Sequence, residues 1–217
     1  MLVRLSLLCL LFLLIPSVAL AEEVPGWGIH VDPVGNCPVD FLEKGISITV
    51  PGGMHDMNPK LGSTHAPRIW NEVNGDFLYE VQVKDFARPK PKSGVEGAKS
   101  YIAAGILVWQ DEENLFRWTR SANGDSGALF LACEQYEGGE LVGGGAYPLE
   151  DKPIWLRVER RGDRIAVSAS YDNQAWKKVL DRRIGLTKDV KVGVIGLSVT
   201  TADAKFEFAD PYLLASE

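Results

Sequence analysis

The chain has 217 residues, a formal net charge of −6 and 46% hydrophobic residues. That acidic balance excludes the broad basic footprint that nucleic acid and anionic lipid require, and no cluster of Lys and Arg with interleaved aromatics stands on any one strand face. The length suits one all-β domain, which often runs to about 200 residues as a single unit and can bury a full core.

Met1 to Arg4 form a short basic start. Leu5 to Leu14 form an apolar run broken only by Ser6 and Cys9, and Ala19-Leu20-Ala21 puts small residues at both positions of a processing site. This is the pattern of a secretory signal peptide cleaved after Ala21. The run is shorter than the roughly 20 residues of a membrane span, and Leu8 precedes Cys9 where a lipoprotein signal needs a small residue. The expected product is residues 22–217, one domain exported to the periplasm or beyond the cell, with no membrane insertion. Export leaves Cys37 and Cys133 in an oxidising compartment, where a disulfide between them is one expectation and two buried thiols the other. A bridge closing so long a loop would stabilise by roughly 4 kcal/mol in the chain-entropy model.

The segments that follow alternate. Gly45 to Val50 places Ile46, Ile48 and Val50 on one face; Phe77 to Lys84 places Phe77, Tyr79, Val81 and Val83 inward, with Glu80, Gln82 and Lys84 outward. Period two is the mark of a half-buried strand. Tyr101 to Gln110 is apolar on both faces and so predicts a central strand. Asp111 to Asn114 turns it into a hairpin with Leu115 to Arg120. Further strands are predicted over Ala128 to Tyr136, Leu141 to Tyr147, Ile154 to Arg160, Ile165 to Tyr171, Ala175 to Leu180, Val190 to Val199 and Lys205 to Phe208. Gly143-Gly144-Gly145 marks a bulge or a close approach. Pro51 to Pro67 and the Pro- and Lys-rich Ala87 to Lys99 lack strand pattern and predict loops. About ten or more strands at roughly 8–12-residue spacing, with no convincing helix, imply an antiparallel β-sandwich or barrel.

Ala104 to Arg117 (AGILVWQDEENLFR), Ile154 to Asp163, Ser170 to Trp176, Val192 to Gly196 and the closing Phe206 to Tyr212 together resemble a bacterial domain family of unknown function. That family has a concanavalin A-like fold and is related to the C-terminal sandwich domain of some β-xylosidases. Ala66-Pro67-Arg68 and Gly75-Asp76-Phe77 fit as well, so the likeness runs from about residue 27 to 213. It implies a concanavalin A-like jelly roll, a fold that hosts lectins, glycanases and lyases alike. The chain departs from the family at Trp118-Thr119, where Leu-Glu is usual, at Asn173-Gln174, where Asp-Gly is commoner, and at the Gly143–Gly145 run.

Catalytic signatures are weak. Glycanases of this fold carry paired carboxylates on one strand face, one acting as acid and the other as nucleophile or base, and no such run occurs. Asp111-Glu112-Glu113 falls in a predicted turn, and Glu134 and Glu137 point to opposite faces of their strand. The Arg, Gln-x-His and spaced-Tyr set of the lyases is not found. His55, Asp56, Asn58 and His65 share the early loop, but their spacing fits no metal motif; Asx-type turns are expected at Asp56 and Asn58. No metal and no cofactor are expected. The positive signal is aromatic and amide-bearing: Trp109, Gln110, Arg117 and Trp118 on adjacent predicted strands, with Arg68 and Trp70 at a strand start, are the candidate ligand-binding residues for a glycan. The competing reading places Trp109 in the core and pairs Arg117 with Glu159 or Glu134. A protein-interaction domain is the alternative function, and a hydrolase or lyase with an unrecognised acid/base pair the third.

Overall fold

The computed structural model describes residues 22–93 and 95–216. The signal peptide expected over residues 1–21 lies outside the described residues. No helix among the described residues is long and apolar enough to cross a membrane.

The chain enters through β1 (Glu22–Val24), β2 (Gly28–Val31), β3 (Val39–Leu42) and β4 (Gly45–Val50). Short pieces follow: β5 (Gly53–His55), β6 (Met57–Asn58), a 3-10 turn at Pro59–Leu61, and β7 (Ser63–Thr64). Longer strands come next, β8 (Arg68–Asn74), β9 (Phe77–Val83), β10 (Tyr101–Trp109), β11 (Leu115–Asn123), β12 (Leu129–Glu137) and β13 (Glu140–Pro148). The chain closes with β14 (Ile154–Arg161), β15 (Arg164–Ser170), β16 (Lys177–Arg183), β17 (Asp189–Thr200) and β18 (Ala204–Ala215).

A nine-stranded sheet runs β1-β2-β8-β17-β10-β11-β12-β13, with β5 also paired to β17. A seven-stranded sheet runs β16-β15-β14-β9-β18-β4-β3, and β6 and β7 make a separate ribbon. The pairings are antiparallel throughout. Of the two all-β antiparallel architectures that the alternation implies, the fold is therefore the sandwich.

Between the sheets, Ile46, Ile48, Val50, Phe77, Tyr79, Val81 and Val83 of the smaller sheet face Ile102, Ile106, Val108, Val192 and Val194 of the larger one. Strand β10 is apolar on both sides because it has two cores to serve. Its alternate residues Ala103, Leu107 and Trp109 join a second cluster with Met57, Ala66, Trp70, Ile195 and Leu197, on the outer face of the larger sheet. The segment covering that face is Pro51 to Pro67. It was expected to be a loop. It folds instead into the short pieces β5 to β7, because β5 pairs with β17 at His55↔Ser198, Met54↔Val199 and Gly53↔Thr200. Runs of two or three residues are too short to write a period into the sequence.

Trp118 corrects another expectation. It is fully buried between the sheets. Its indole Nε1 donates to the Ser168 carbonyl across the gap at 3.1 Å, and its ring meets Tyr147 edge-on at 6.3 Å. It holds the two sheets together and reaches no ligand surface. Gly143 meets the expectation of a close approach: a Cβ there would lie 1.8 Å from Nη1 of Arg182, whose guanidinium crosses from β16. The register shift opposite Gln135 and Tyr136 leaves Val142 as an extra residue on β13, so a bulge adjoins Gly143 as well.

The cysteines are free, and both are buried. Cys37 Sγ lies 3.6 Å from His55 Nδ1, beside β5, while Cys133 sits on β12 opposite Trp118. Strands β5 and β12 are separated by β17, β10 and β11. Four strand spacings of about 4.8 Å put them roughly 19 Å apart, far beyond disulfide reach. The expected Cys37–Cys133 bridge is thus corrected to two separate thiols, each pushed up to about 12 by burial. Thiol titration of residues 22–217 in denaturant without reductant is expected to count two reactive groups; a count of zero would restore the bridge.

Candidate functional site

The pleat decides which side chains reach the outer face of the larger sheet. On β10 to β12 these are Tyr101 and Ala103, then Arg117, Thr119 and Ser121, then Phe130, Ala132 and Glu134. The middle of that set is small, so the sheet surface dips. Met54, Asp56, Asn58 and Leu61 of the covering segment form one wall, and Gly97 to Lys99 the other, around a cleft of about 420 Å³. That volume falls within the roughly 300–1,000 Å³ of small-ligand sites.

Arg117 is the centre of the cleft floor. Its side chain is 6% exposed, with Nη2 bonded to the Glu134 carboxylate and Nη1 3.5 Å from Asp56 Oδ1. Glu134 is its direct cross-strand partner, Arg117↔Glu134 in the β11–β12 register. Asp56 comes from the covering segment, and its Oδ1 also accepts from the Tyr101 hydroxyl and from the Met57 amide at 2.7 Å. The Asx turn expected at Asp56 is therefore absent; the carboxylate turns into the sheet. Burial alone would lower the guanidinium of Arg117, but Glu134, Tyr101 and Asp56 raise it above its ordinary value. Burial and the neighbouring Asp56 hold Tyr101 protonated well above the usual phenol range. Tyr136 lies under Arg117, ring centroid 5.8 Å from the guanidinium carbon, and burial pushes its hydroxyl up to about 12.

The sequence-derived candidates divide. Arg117 lies in the cleft, paired with Glu134 as the competing reading had it, while Glu159 pairs with Arg161. Arg68, Trp70 and Trp109 do meet, but beside the cleft and beneath the covering segment. The Arg68 guanidinium lies 4.7 Å from the Trp70 ring and 4.9 Å from Trp109, and its Nη1 donates to the Thr64 and Ala66 carbonyls. All three side chains are buried, and burial brings Arg68 down to about 10. Gln110 has both ends of its amide engaged, Oε1 by the Thr187 amide and Nε2 by Asp111, each at 2.8 Å. Trp118 lies on the opposite face. Asp56, Asn58, Tyr101 and Glu134 complete the site and were not singled out as ligand-binding residues. Asp56 is 61 positions from Arg117, so no local spacing could link them.

The other acidic groups weighed from the sequence are engaged within the fold. Asp111 Oδ1 accepts from the Glu113 and Asn114 amides at 2.9 Å, closing the expected turn. Glu137 faces away from Glu134 and accepts from the Gly185 amide at 2.8 Å. Among the described residues no group of three or more His, Cys, Asp or Glu side chains is placed to hold a metal ion.

Residues 95–197 match the model of the Beta xylosidase C-terminal Concanavalin A-like domain. Over that stretch the chain is similar to that domain. No curated protein matches its sequence. Among solved structures it is similar to a functionally unknown protein from Saccharomyces cerevisiae, at 15% identity and a TM-score of 0.68, covering 83% of this chain and 92% of that one. The GH43 protein BlXynB from Bacillus licheniformis, as its K247S mutant, aligns at 14% identity and TM-score 0.57, covering 78% of this chain. The chain spans only 33% of that enzyme's length. Carbohydrate binding module CBM66 from Bacillus subtilis aligns at 14% identity and TM-score 0.51, covering 83% and 92%. At these identities the likeness carries the concanavalin A-like fold alone.

Proposed function

We propose that this protein is an exported, non-catalytic module that binds carbohydrate in the cleft over β10 to β12. One observation carries the reading: a buried, charge-paired guanidinium at the floor of a cleft whose walls mix apolar side chains with amide and carboxylate acceptors. Leu61, Phe130 and Met54 offer apolar surface to a sugar ring, Glu134 offers an acceptor to its hydroxyls, and Asn58 adds a polar side chain to the wall. Such a mixture is the usual form of a small-ligand site. The likeness to a carbohydrate binding module is consistent with it. Export rests on the Met1 to Ala21 pattern.

Catalysis fits the same groups less well. A glycosidase needs one carboxyl free to donate a proton. Asp56 Oδ1 instead accepts from Tyr101, Met57 N and Arg117, and Glu134 accepts from Arg117. Tyr101, held protonated, is a poor base. A protein partner is the second reading, favoured by Tyr212 and Leu214, which are 51% and 57% exposed two positions apart on β18.

A glycan array probed with residues 22–217 tests the proposal. Binding to a subset of glycans is expected, reduced about tenfold or more by Asn58→Ala, in keeping with the loss of a polar group from the cleft wall. Silence across the array at millimolar glycan would remove the carbohydrate reading. Self-association lost in a Tyr212→Ser/Leu214→Ser variant would then favour the second.

A further inference from the structure

Resting on that reading, we infer that the cleft takes uncharged sugars and that Glu134 is the residue that turns uronates away. The argument is one of donors and acceptors. The Arg117 guanidinium is the group a carboxylate ligand would seek, and it is already engaged: Nη2 by Glu134, Nη1 by Asp56, with its side chain 6% exposed. Its third nitrogen, Nε, has no hydrogen-bond partner and is shielded from solvent. Two carboxylates around one guanidinium leave the floor with an excess negative charge. Lys99 stands on the rim, exposed, as a hydrated point charge on a flexible stem.

What the cleft presents to a ligand is therefore rich in acceptors. The Glu134 side chain is 30% exposed, against 4% for Asp56, so it is the carboxylate a ligand meets. Asn58 Oδ1, on the wall, has no hydrogen-bond partner but is shielded from solvent like Arg117 Nε, which leaves Glu134 as the acceptor at the surface. Sugar hydroxyls can donate to it in a charge-assisted bond. A uronate carboxylate has no proton to give and would sit against like charge. Excluding a competitor by repulsion is a usual route to specificity.

The test uses an array of uronate polysaccharides, each paired with its carboxyl-reduced form, so that the backbone is shared and only the charge differs. The processed wild-type chain is expected to bind the reduced member of any recognised pair roughly tenfold or more tightly than the uronate. Glu134→Gln replaces an acceptor-only group with one that also donates, and is expected to shrink that ratio toward one. Equal or tighter binding of uronates by the wild type, or an unchanged ratio in Glu134→Gln, overturns the inference while leaving carbohydrate binding intact. Binding to no glycan overturns both. If Glu134→Gln fails to fold, the wild-type ratio is read from about 0.02 to 0.5 M salt, where screening of the repulsion is expected to narrow it; a salt-independent ratio overturns the inference.

Discussion

Arg117→Ala is expected to destabilise the domain by about 3–5 kcal/mol and to abolish glycan binding. Removing one member of a buried ion pair costs this much because the partner charge is stranded. Here Asp56, buried in the covering segment, would be left without its cation, and Glu134 beside it. Three strands and the covering segment converge on this one guanidinium, so its loss should loosen Gly53 to Thr64 from the sheet as well. The charge effect separates from the shape effect in the triple variant Arg117→Leu/Asp56→Asn/Glu134→Gln. Replacing a whole buried ionic cluster with neutral groups of like volume is often close to neutral, so the triple variant should recover most of the stability and none of the binding. Denaturant melts with glycan titrations read both; full stability in Arg117→Ala would mean that the ion pairs do not hold the segment down.

Trp118→Ala is expected to cost about 3–5 kcal/mol, the range for emptying a large aromatic site in a core. For a domain of this size that is a fall in Tm of the order of 10 °C. The loss has two parts, the cavity between the sheets and the bond from Nε1 to the Ser168 carbonyl. Trp118→Phe keeps most of the volume and should cost less, with glycan affinity unchanged because the residue faces away from the cleft. A Trp118→Phe variant that folds normally but no longer binds would return Trp118 to the ligand surface.

The two residues are neighbours in the chain, and their contrast marks what a sequence can disclose. Consecutive residues on a strand point to opposite faces, so Arg117 and Trp118 could not have shared one sugar platform; the pleat alone divides them. The faces of Gly45 to Val50 and Phe77 to Val83 were legible for the same reason, since one apolar face per strand writes a period of two. Tyr101 to Trp109 was legible as central but not as double-cored, because a residue buried by a second strand and one buried by a covering loop look alike. The covering segment was the illegible part. Its strands are two or three residues long, and its key side chain, Asp56, finds Arg117 only after the chain has passed through three long strands, β8 to β10. The cysteine pair failed in the same way, its separation across the sheet being set by strand order and not by distance along the chain.

The central claim is that a sugar occupies the cleft floored by Arg117. Its most direct test is a nuclear magnetic resonance titration of isotopically labelled residues 22–217 with a neutral glycan from the array. The account expects the shifts to concentrate at Asp56, Asn58, Tyr101, Arg117, Thr119 and Glu134, with the Arg117 side chain among the largest, and Trp118 and Trp155 quiet. Shifts gathered on the outer face of the smaller sheet, around Trp155 and Trp176, with the cleft unmoved, would contradict it.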